Sequence, residues 1–492
     1  MILIAILLMS SPNLFATDIG SSDSILISRV DTYLTKSVSN GFSGAVLVAK
    51  DGKILIAKGY GLADRKHEIQ VESSTVFNIG SVTKQFTAAA ILKLVEQEKI
   101  TTSDTLAKFF DDVPEDKKNI TIHQLLTHTA GISPQTGGPR YEQASRERFL
   151  REFFETELDT KPGSRFEYAN AGYILLAAIV EYVSGQAFEQ FLSQYLFKPA
   201  GMINTGYTRP EWMEHQLAHG YYYSVAEKGW IDWGTTPDQW GPEGVSWYGI
   251  GKGDIQSTVE DLFRWHQALQ LDEILKDELR VLYETPFVPE NSAGTSHYAY
   301  GWAIMESERG SKVVTHNGSN GLFFADFIRF VEDDVVIIYL TNAALPTAID
   351  DVTRNISRMV FEPTYEPKVV SKISYELIFE FIKENKPDKI GALPGYLEQK
   401  LGSKLEDRRV FNQIGYQLLK EQRCDWSIAL LQLNVQLFPN DGNLFDSLGE
   451  VAMGCGQNGL AVESFNRALE IAPIENCGWC DNSRKHLLTI SK

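Results

Sequence analysis

The chain has too little positive charge for a typical nucleic-acid-binding protein. Its 492 residues include 46 lysines and arginines against 64 aspartates and glutamates, so the formal net charge is −18. Phosphate groups and anionic lipid headgroups are attracted by basic surfaces, and this balance argues against nucleic acid or an anionic membrane as the main partner. A local basic spot inside a pocket stays compatible with the composition.

The sequence also lacks a hydrophobic run of membrane-spanning length. Ile2–Met9 is unbroken and apolar but too short to cross a bilayer. It is followed by Ser10 and Ser11 and by a candidate cleavage site after Ala16, a pattern typical of a signal peptide. The alternative is a buried N-terminal strand. We predict that residues 1–16 are a signal peptide, that the mature protein is exported to the periplasm or secreted, and that it has no stable membrane span.

Cysteine is scarce and confined to the C-terminal part of the chain, where the residues are Cys424, Cys455, Cys477 and Cys480. In an oxidising compartment four cysteines can form two disulfides in three pairings, and the sequence leaves the pairing open. A single Cys-x-x-Cys pair without further ligands nearby is weak support for a metal site. We expect structural disulfides and no cysteine nucleophile.

Two common catalytic patterns are missing. The chain has no Gly-x-Ser-x-Gly elbow and no Gly-Lys-Ser/Thr phosphate loop, which argues against α/β-hydrolases and nucleotide enzymes. His215 and His219 are four residues apart, but they lack the glutamate of the zinc-protease pattern and an evident third ligand. The sequence therefore predicts neither a metal site nor a cofactor.

The patterns that are present indicate an α+β fold. Gly44–Gly61 alternates apolar and polar residues around Asp51-Gly52, which predicts a β-hairpin. Apolar residues at helical spacing follow in Val82–Leu94 and Ala169–Val183, and strands return towards Val335–Leu340. We predict an antiparallel sheet with edges from both ends of the domain, flanked by helices and a helical subdomain, over residues 17–361.

A second, all-helical unit is predicted after this domain. Residues 362–372 begin with a proline-rich acidic segment and are interpreted as a linker. In residues 373–492, Gly415 and Gly449 are 34 residues apart, as are Pro439 and Pro473. This period resembles that of tetratricopeptide repeats, although two units are fewer than the three usually needed for a continuous core. The alternative is a helical tail with coincidental spacing.

The first candidate for chemistry is Ser81, in the first turn of the predicted helix, with Lys84 three residues further on. Side chains three residues apart share a helix face, so the amine can activate the hydroxyl as a nucleophile. The alternative is a helix-capping serine followed by a surface lysine.

Two later segments add to this pair. Tyr168 and Asn170 precede an apolar helix, and they offer a phenol for proton transfer and an amide for substrate binding. His316-Asn317-Gly318-Ser319 lies on a late strand, where a backbone N–H can face that of Ser81 and complete an oxyanion hole. The alternative for each segment is a purely structural role.

Taken in order, Ser-x-x-Lys, Tyr-x-Asn and His-x-Gly resemble the motifs of the penicillin-recognising serine hydrolases. The branch with the most similar pattern contains class C β-lactamases, D-alanyl-D-alanine carboxypeptidases, D-aminopeptidases and related esterases. The resemblance covers roughly residues 40–345 and includes the segment Leu125–Ile132 and the triplet Tyr300-Gly301-Trp302. It implies the fold of that family and no cofactor.

The resemblance also implies roles for individual residues. Ser81 becomes the acylated nucleophile, Lys84 takes part in its activation, and Tyr168 transfers protons. Asn170 contacts the substrate amide, and the N–H groups of Ser81 and Ser319 form the oxyanion hole beside Gly318. His316 stands where many β-lactamases have lysine, and a neutral imidazole cannot hold a carboxylate as an ammonium does. If His316 is protonated near pH 6, carboxylate-bearing substrates are expected to react better there.

We therefore predict a serine acyl hydrolase that acts on esters or on D-amino-acid amides and peptides, with weak β-lactamase activity at most. Its partners are a small-molecule or peptide substrate and, through the repeats, a protein partner or a second copy of the chain. The alternative is a non-catalytic sensor of cell-wall peptides that recruits partners through the repeats. A cluster of aromatic residues between Tyr221 and Tyr248 is either a local core or an apolar wall beside the cleft.

Overall fold

The structure is a computed structural model that describes residues 20–224, 227, 229–343, 346–367, 374–402, 404, 408–472 and 478–490. The predicted signal peptide, residues 1–16, lies outside the described residues. Of the predicted linker, only residues 362–367 are described.

The N-terminal part of the chain combines helices with antiparallel strands. In the described ranges the strands are β1 Gly44–Lys50, β2 Lys53–Tyr60, β3 Leu62–Asp64, β4 Ile69–Gln70, β5 Phe77–Asn78, β6 Gly220–Ser224, β7 Gly229–Gly234, β8 Gln256–Ser257, β9 Val288–Pro289, β10 Ser296–Tyr298, β11 Ala303–Glu306, β12 Lys312–Ser319, β13 Phe324–Phe330 and β14 Val335–Thr341.

Helices flank these strands and, from α10 onwards, make up the described part of the chain as far as Ile490. In the same ranges the α-helices are α1 Ser21–Val38, α2 Thr83–Glu96, α3 Ile122–Leu126, α4 Arg146–Glu155, α5 Asn170–Ser184, α6 Phe188–Leu192, α7 Val259–Gln270, α8 Asp277–Tyr283, α9 Pro346–Phe361, α10 Ser374–Glu384, α11 Leu393–Leu401, α12 Arg408–Lys420, α13 Cys424–Leu437, α14 Gly442–Gly454, α15 Asn458–Ile471 and α16 Gly478–Ile490.

The main sheet has eight strands in the order β2-β1-β14-β13-β12-β11-β10-β9. The β1–β2 hairpin forms as predicted, with both turn residues, Asp51 and Gly52, at positive φ (51° and 71°) as a two-residue hairpin turn requires. The late strands, however, lie in the middle of the sheet and do not form its second edge, so that part of the prediction was wrong. The reason is visible in β14, in which every residue is buried: a strand covered on both faces belongs in the interior of a sheet.

Each face of the sheet is covered by its own hydrophobic core. Along β1, Ala45, Leu47 and Ala49 contribute to the core that contains α2 and α5. Val46 and Val48 point the other way, into the core shared with α1 and α9. Because successive side chains of a strand alternate between faces, one apolar strand serves both cores. The α+β fold class predicted from the sequence is confirmed.

The C-terminal region is all-helical and has apolar clusters of its own. Helices α10 to α12 enclose one cluster together with Trp426 of α13, and the later helices enclose two more. A disulfide joins Cys424 and Cys455. Cys480 is also disulfide-bonded, whereas Cys477 lies outside the described residues.

This region contacts the N-terminal part of the chain through the β6–β7 hairpin. The indole Nε1 of Trp230 donates a hydrogen bond of 2.6 Å to Glu376 Oε1 of α10. The guanidinium of Arg65 lies 4.6 Å from the centre of the Trp230 ring. One member of the aromatic cluster predicted between Tyr221 and Tyr248 is therefore used to join two parts of the molecule.

Length and apolarity together pick out no single membrane-spanning helix in the described part of the chain. The bent helix pair Asn170–Ser184 and Phe188–Phe197 reaches membrane-spanning length and apolarity only when its two segments are counted together.

Candidate active site

Ser81 lies in a tight turn that opens directly into α2. The turn Gly80–Val82 is a short 3-10 helix, and the amide of Gly80 donates a 2.8 Å hydrogen bond to the side chain of Asn78. Gly80 has φ +49°, a conformation that glycine adopts without strain. Ser81 itself is half-buried. It lies at the N-terminal end of α2, where the first backbone N–H groups of a helix have no partner within the helix.

Lys84 is fully buried beside Ser81. Its Nζ lies 3.0 Å from Ser81 Oγ, 2.9 Å from Asn170 Oδ1 and 2.9 Å from the carbonyl oxygen of Lys252. Burial, followed by the positive charges of Lys252 and Arg140, holds the pKa of Lys84 well below its ordinary value. The amine is therefore favoured in its neutral form.

The three contacts of Lys84 constrain where its lone pair points. A neutral amine has two N–H donors and one lone pair, while the Asn170 and Lys252 oxygens can only accept. If both N–H groups are donated to these oxygens, the lone pair is left for the hydroxyl hydrogen of Ser81. The geometry is that of a base placed to take the proton of a nucleophile.

Tyr168 and Asn170 reach the same place from the start of α5. The ring centre of Tyr168 is 4.8 Å from Lys84 Nζ. Burial raises the pKa of Tyr168 well above its ordinary value, and a hydrogen bond between the side chains of Tyr168 and Ser81 offsets this in part. The phenol is consequently protonated at neutral pH, as a proton donor must be.

His128, which was not among the predicted site residues, packs against Tyr168. The ring of His128 lies 4.2 Å from that of Tyr168, and its Nδ1 accepts a 3.1 Å hydrogen bond from the backbone of Ala169. His128 is buried, which is the main cause that lowers its pKa, so the ring is neutral. It fixes the backbone between Tyr168 and Asn170.

Strand β12 brings His316, Gly318 and Ser319 to the nucleophile turn. Strand β11 pairs with β12 only as far as Thr315, and beyond this residue β12 faces the turn Gly80–Val82. A Cβ added to Gly318 would lie 2.2 Å from the Ile79 oxygen and 2.4 Å from the Ser81 nitrogen. The two backbones thus touch at the point where an oxyanion hole is expected.

The expectation that His316 becomes protonated near pH 6 is not supported by its surroundings. Its Nδ1 lies 2.6 Å from the Asn317 carbonyl oxygen and donates to it, so Nε2 accepts from the Tyr298 hydroxyl at 3.0 Å. Burial is the main cause that lowers the pKa of His316 to about 3. The ring is neutral at pH 6, because it is desolvated and both nitrogens are already hydrogen-bonded.

Two cations that sequence reasoning missed lie beside these residues. Lys252 precedes β8, and Arg140 lies in the loop before α4, 3.8 Å from the carboxylate of Asp254. The run Gly251-Lys252-Gly253-Asp254 could have drawn attention, since a lysine between glycines is typical of a tight loop. Nothing in the spacing of Arg140 pointed to the site.

A separate polar cluster surrounds one histidine of the pair His215 and His219. His219 Nδ1 is 3.0 Å from Asp232, and its Nε2 is 3.7 Å from Asp64. The ligand atoms of these three residues lie within 4.8 Å of one another and could hold a metal ion. The sequence showed no third ligand because Asp64 and Asp232 come from different strands, β3 and β7.

The sequence of the chain is similar to a family model and to the sequences of known proteins. The family model described as "Beta-lactamase" matches residues 30–356. A penicillin-binding protein of Bacillus subtilis is 30% identical over 317 residues, which cover 61% of this chain and 68% of the relative. A second relative, protein flp of Staphylococcus aureus, is 27% identical and is covered over 62% of its length. The chain thus spans about two thirds of these relatives.

Solved structures of related proteins have a similar fold. A penicillin binding protein from Bacillus halodurans has 27% identity and a TM-score of 0.58, with 67% of this chain and 98% of that chain covered. D-amino acid amidase from Ochrobactrum anthropi shares the fold at 20% identity and a TM-score of 0.58, over 69% of this chain and 99% of that one. With the family model matching well over half of its residues, the chain belongs to the β-lactamase family.

Proposed function

We propose that this protein is a serine acyl hydrolase that forms an acyl-enzyme on Ser81. The observation that carries the proposal is the position of Lys84 Nζ, 3.0 Å from Ser81 Oγ, with its two other contacts made to oxygens that only accept. A buried, neutral amine in this place takes the hydroxyl proton as Oγ attacks the substrate carbonyl.

The remaining steps use groups already at the site. The backbone N–H groups of Ser81 and Ser319 stabilise the oxyanion of the tetrahedral intermediate. Tyr168 passes a proton to the leaving group as the carbon–oxygen or carbon–nitrogen bond breaks, and the proton taken from Ser81 replaces it through Lys84. Water then attacks the acyl-enzyme, and the same groups return the proton to Ser81 Oγ.

We expect esters and D-amino-acid amides or peptides to be turned over faster than penicillins and cephalosporins. Neutral His316 gives no cation at the place where many β-lactamases have lysine. A charge-assisted hydrogen bond contributes about 1.5–3 kcal/mol and a neutral one about 1 kcal/mol, a difference of roughly tenfold in binding. Slow acylation by β-lactams stays compatible with this site.

The test is mass spectrometry of the intact protein after reaction with a fluorophosphonate and, separately, with a penicillin. We expect an adduct on Ser81 and none on a Ser81→Ala variant, together with turnover of aryl esters by the unmodified protein. A protein that binds the compounds without an adduct and without turnover would contradict the hydrolase and favour the non-catalytic sensor.

For the C-terminal helices we propose a repeat module that contacts a protein partner or a second copy of the chain. In support, Gly415 and Gly449 play equivalent parts: an added Cβ would meet Leu431 at 2.6 Å in the first helix pair and Phe465 at 2.5 Å in the second. Light scattering over a range of concentrations tests self-association. The Cys424–Cys455 bond supports a further proposal, export to an oxidising compartment.

A further inference from the structure

Two basic side chains outside the Ser81–Lys84–Tyr168 group converge on it. The main-chain oxygen of Lys252 accepts a hydrogen bond from Lys84 Nζ at 2.9 Å. At the next residue, Gly253, an added Cβ would lie 3.7 Å from Arg140 Nη2 and 3.8 Å from the Gly80 oxygen. The guanidinium therefore lies across a single glycine from the nucleophile turn.

The loop that carries Lys252 is held firmly against α2. The Thr87 hydroxyl donates a 2.6 Å hydrogen bond to the Gly251 oxygen, and the Gly251 amide donates to the Tyr207 hydroxyl at 2.9 Å. Asp254 accepts a 3.2 Å hydrogen bond from Asn78, whose own oxygen holds the amide of Gly80. The position of this loop is thus fixed relative to Ser81.

The charges of this group do not balance. Asp254 is the acid paired with Arg140, at 3.8 Å, which is beyond hydrogen-bond distance. Within the described ranges, Arg140 Nη1 is buried with no hydrogen-bond acceptor. Lys252 is also largely buried, and no described side chain pairs with its ammonium. Among the described residues, two cations thus share one carboxylate, and the group carries a net positive charge.

We propose that Arg140 and Lys252 form a subsite for a carboxylate of the substrate, adjacent to Ser81. A carboxylate can accept from a guanidinium and an ammonium together, and a monoanion would balance the excess charge. The inference rests on the proposed hydrolase function and specifies its substrate class as esters or amides that carry a free carboxylate. These two cations come from the loops before α4 and before β8, whereas His316 is on β12, so the subsite is separate from the place where many β-lactamases have lysine.

The rim of this subsite is aromatic and polar. Tyr141 follows Arg140 in sequence, its hydroxyl accepts a 3.2 Å hydrogen bond from Asn320, and its ring lies 5.4 Å from that of Trp233. Asn320 directly follows Ser319 of β12. A phenol, an amide and an indole therefore lie next to one another beside Arg140 and Ser319.

The experiment compares matched pairs of esters that differ by one negative charge. In the first pair the charge is on the leaving group (3-carboxyphenyl acetate and its methyl ester), and in the second on the acyl group (mono-4-nitrophenyl adipate and its methyl ester). We expect about tenfold or higher kcat/KM for the anionic member of one pair, and that pair identifies the side on which the carboxylate binds.

Variants assign the preference to these residues. Lys252→Gln, which keeps Arg140 and Asp254 intact, should reduce the anionic-to-neutral ratio about tenfold, and Lys252→Arg should retain most of it. The matched control is Lys118→Gln, because Lys118 is a surface lysine that pairs with Glu115. This variant should leave the anionic-to-neutral ratio of kcat/KM unchanged. The ratio is the readout because any effect on the activation of Ser81 cancels between the two esters.

An unchanged ratio in Lys252→Gln, or a preference for the neutral member of both pairs, would overturn the subsite while leaving the hydrolase in place. Absence of turnover for all four esters, with no adduct on Ser81, would instead overturn the proposed function itself. Arg140→Gln is a second variant for the same ratio if Lys252→Gln is poorly folded.

Discussion

A lysine in water carries a proton that leaves no lone pair for a serine, and the site changes this by removing the water. Lys84 has no exposed surface, and two further cations lie near it. Desolvation disfavours the charged amine, and like charges disfavour it again. The lowered pKa of Lys84 is thus a property of its position, since an exposed lysine three residues after a serine would stay charged.

At this scale we predict the pH dependence of the reaction. In the proposed mechanism only neutral Lys84 accepts the Ser81 proton, so kcat/KM for a neutral ester should fall as pH decreases through the pKa of Lys84. Lys252→Gln removes a nearby positive charge, raises the pKa of Lys84 and should move this acidic limb to higher pH. The measurement is the pH profile of kcat/KM for phenyl acetate, recorded for the unmodified protein and for Lys252→Gln.

The two comparisons that belong with this profile are Lys84→Ala and Lys118→Gln. The first should lower kcat by about 10²–10⁴-fold, as loss of a general base does. Lys118→Gln removes a surface lysine and should leave the acidic limb of the kcat/KM profile at the same pH. A limb that stays at the same pH in Lys252→Gln would show that the protonation of another group controls the rate.

His316 and Lys252 differ in how they titrate. Burial lowers the pKa of His316 to about 3 and that of Lys252 to about 8. The imidazole is thus neutral throughout the physiological range, whereas the Lys252 ammonium is lost as pH rises through about 8. Any preference for anionic substrates should therefore weaken at alkaline pH and show no gain near pH 6.

At the scale of elements, the site depends on close contact between β12 and the turn that leads into α2. Gly318→Ala should separate them, since the added Cβ would meet the Ile79 oxygen at 2.2 Å and the Ser81 nitrogen at 2.4 Å, both backbone atoms that cannot rotate away. We expect a loss of kcat of about 10²-fold or more, the size seen when an oxyanion-hole donor is displaced.

The control for this variant is Gly172→Ala in α5, where the nearest atom to the added Cβ is at 3.5 Å, an ordinary contact. It should retain activity. Circular dichroism of both variants separates a displaced strand from an unfolded protein, and full activity in folded Gly318→Ala would contradict the proposed oxyanion hole.

The Cys424–Cys455 disulfide permits a test of how the helical region supports the rest of the chain. It joins Cys424, the first residue of α13, to Cys455, which directly follows α14, over 31 residues of sequence. A loop of this length gives about 2–4 kcal/mol of stabilisation. Cys424→Ser combined with Cys455→Ser should lower the melting temperature of the helical region. Calorimetry detects the change, and the rate of ester hydrolysis should be unaffected if this region is independent of the site.

For the whole molecule, buried neutral histidines make stability depend on pH. Burial lowers the pKa of both His266 and His316 to about 3, against an ordinary value of 6.5, and it also holds the pKa of His128 well below that value. The unfolded state therefore binds more protons below pH 6.5, and stability is lost as pH falls from there towards 3. Each histidine contributes a slope of about 1.4 kcal/mol per pH unit.

We expect these three histidines to lower the free energy of unfolding in urea by about 3–4 kcal/mol per pH unit between pH 6 and pH 5. His266→Gln should have a shallower dependence because one of the three groups is gone. His215→Gln is the comparison, since His215 is exposed on a short helical turn and should leave the slope unchanged. A free energy of unfolding independent of pH in this range would contradict the buried neutral state.

The features that could be predicted are those set by neighbours in sequence. Ser81 and Lys84 share a helix face because they are three residues apart, and Asp51-Gly52 forms a hairpin turn because both residues tolerate positive φ. The α+β class followed from alternation in strands and helical spacing elsewhere. Recognition of the family needed only the order of short motifs.

The features that depended on tertiary structure involve residues far apart in sequence or the solvent exposure of a group. Asn170 and Lys252 meet Lys84 across 86 and 168 residues, and Arg140 reaches the site from a loop without a motif. The second edge of the sheet was mispredicted for the same reason, because pairing of β1 with β14 joins segments about three hundred residues apart. Protonation states were likewise decided by the fold: the sequence names His316 and Lys84, but only burial removes the water that would keep them charged.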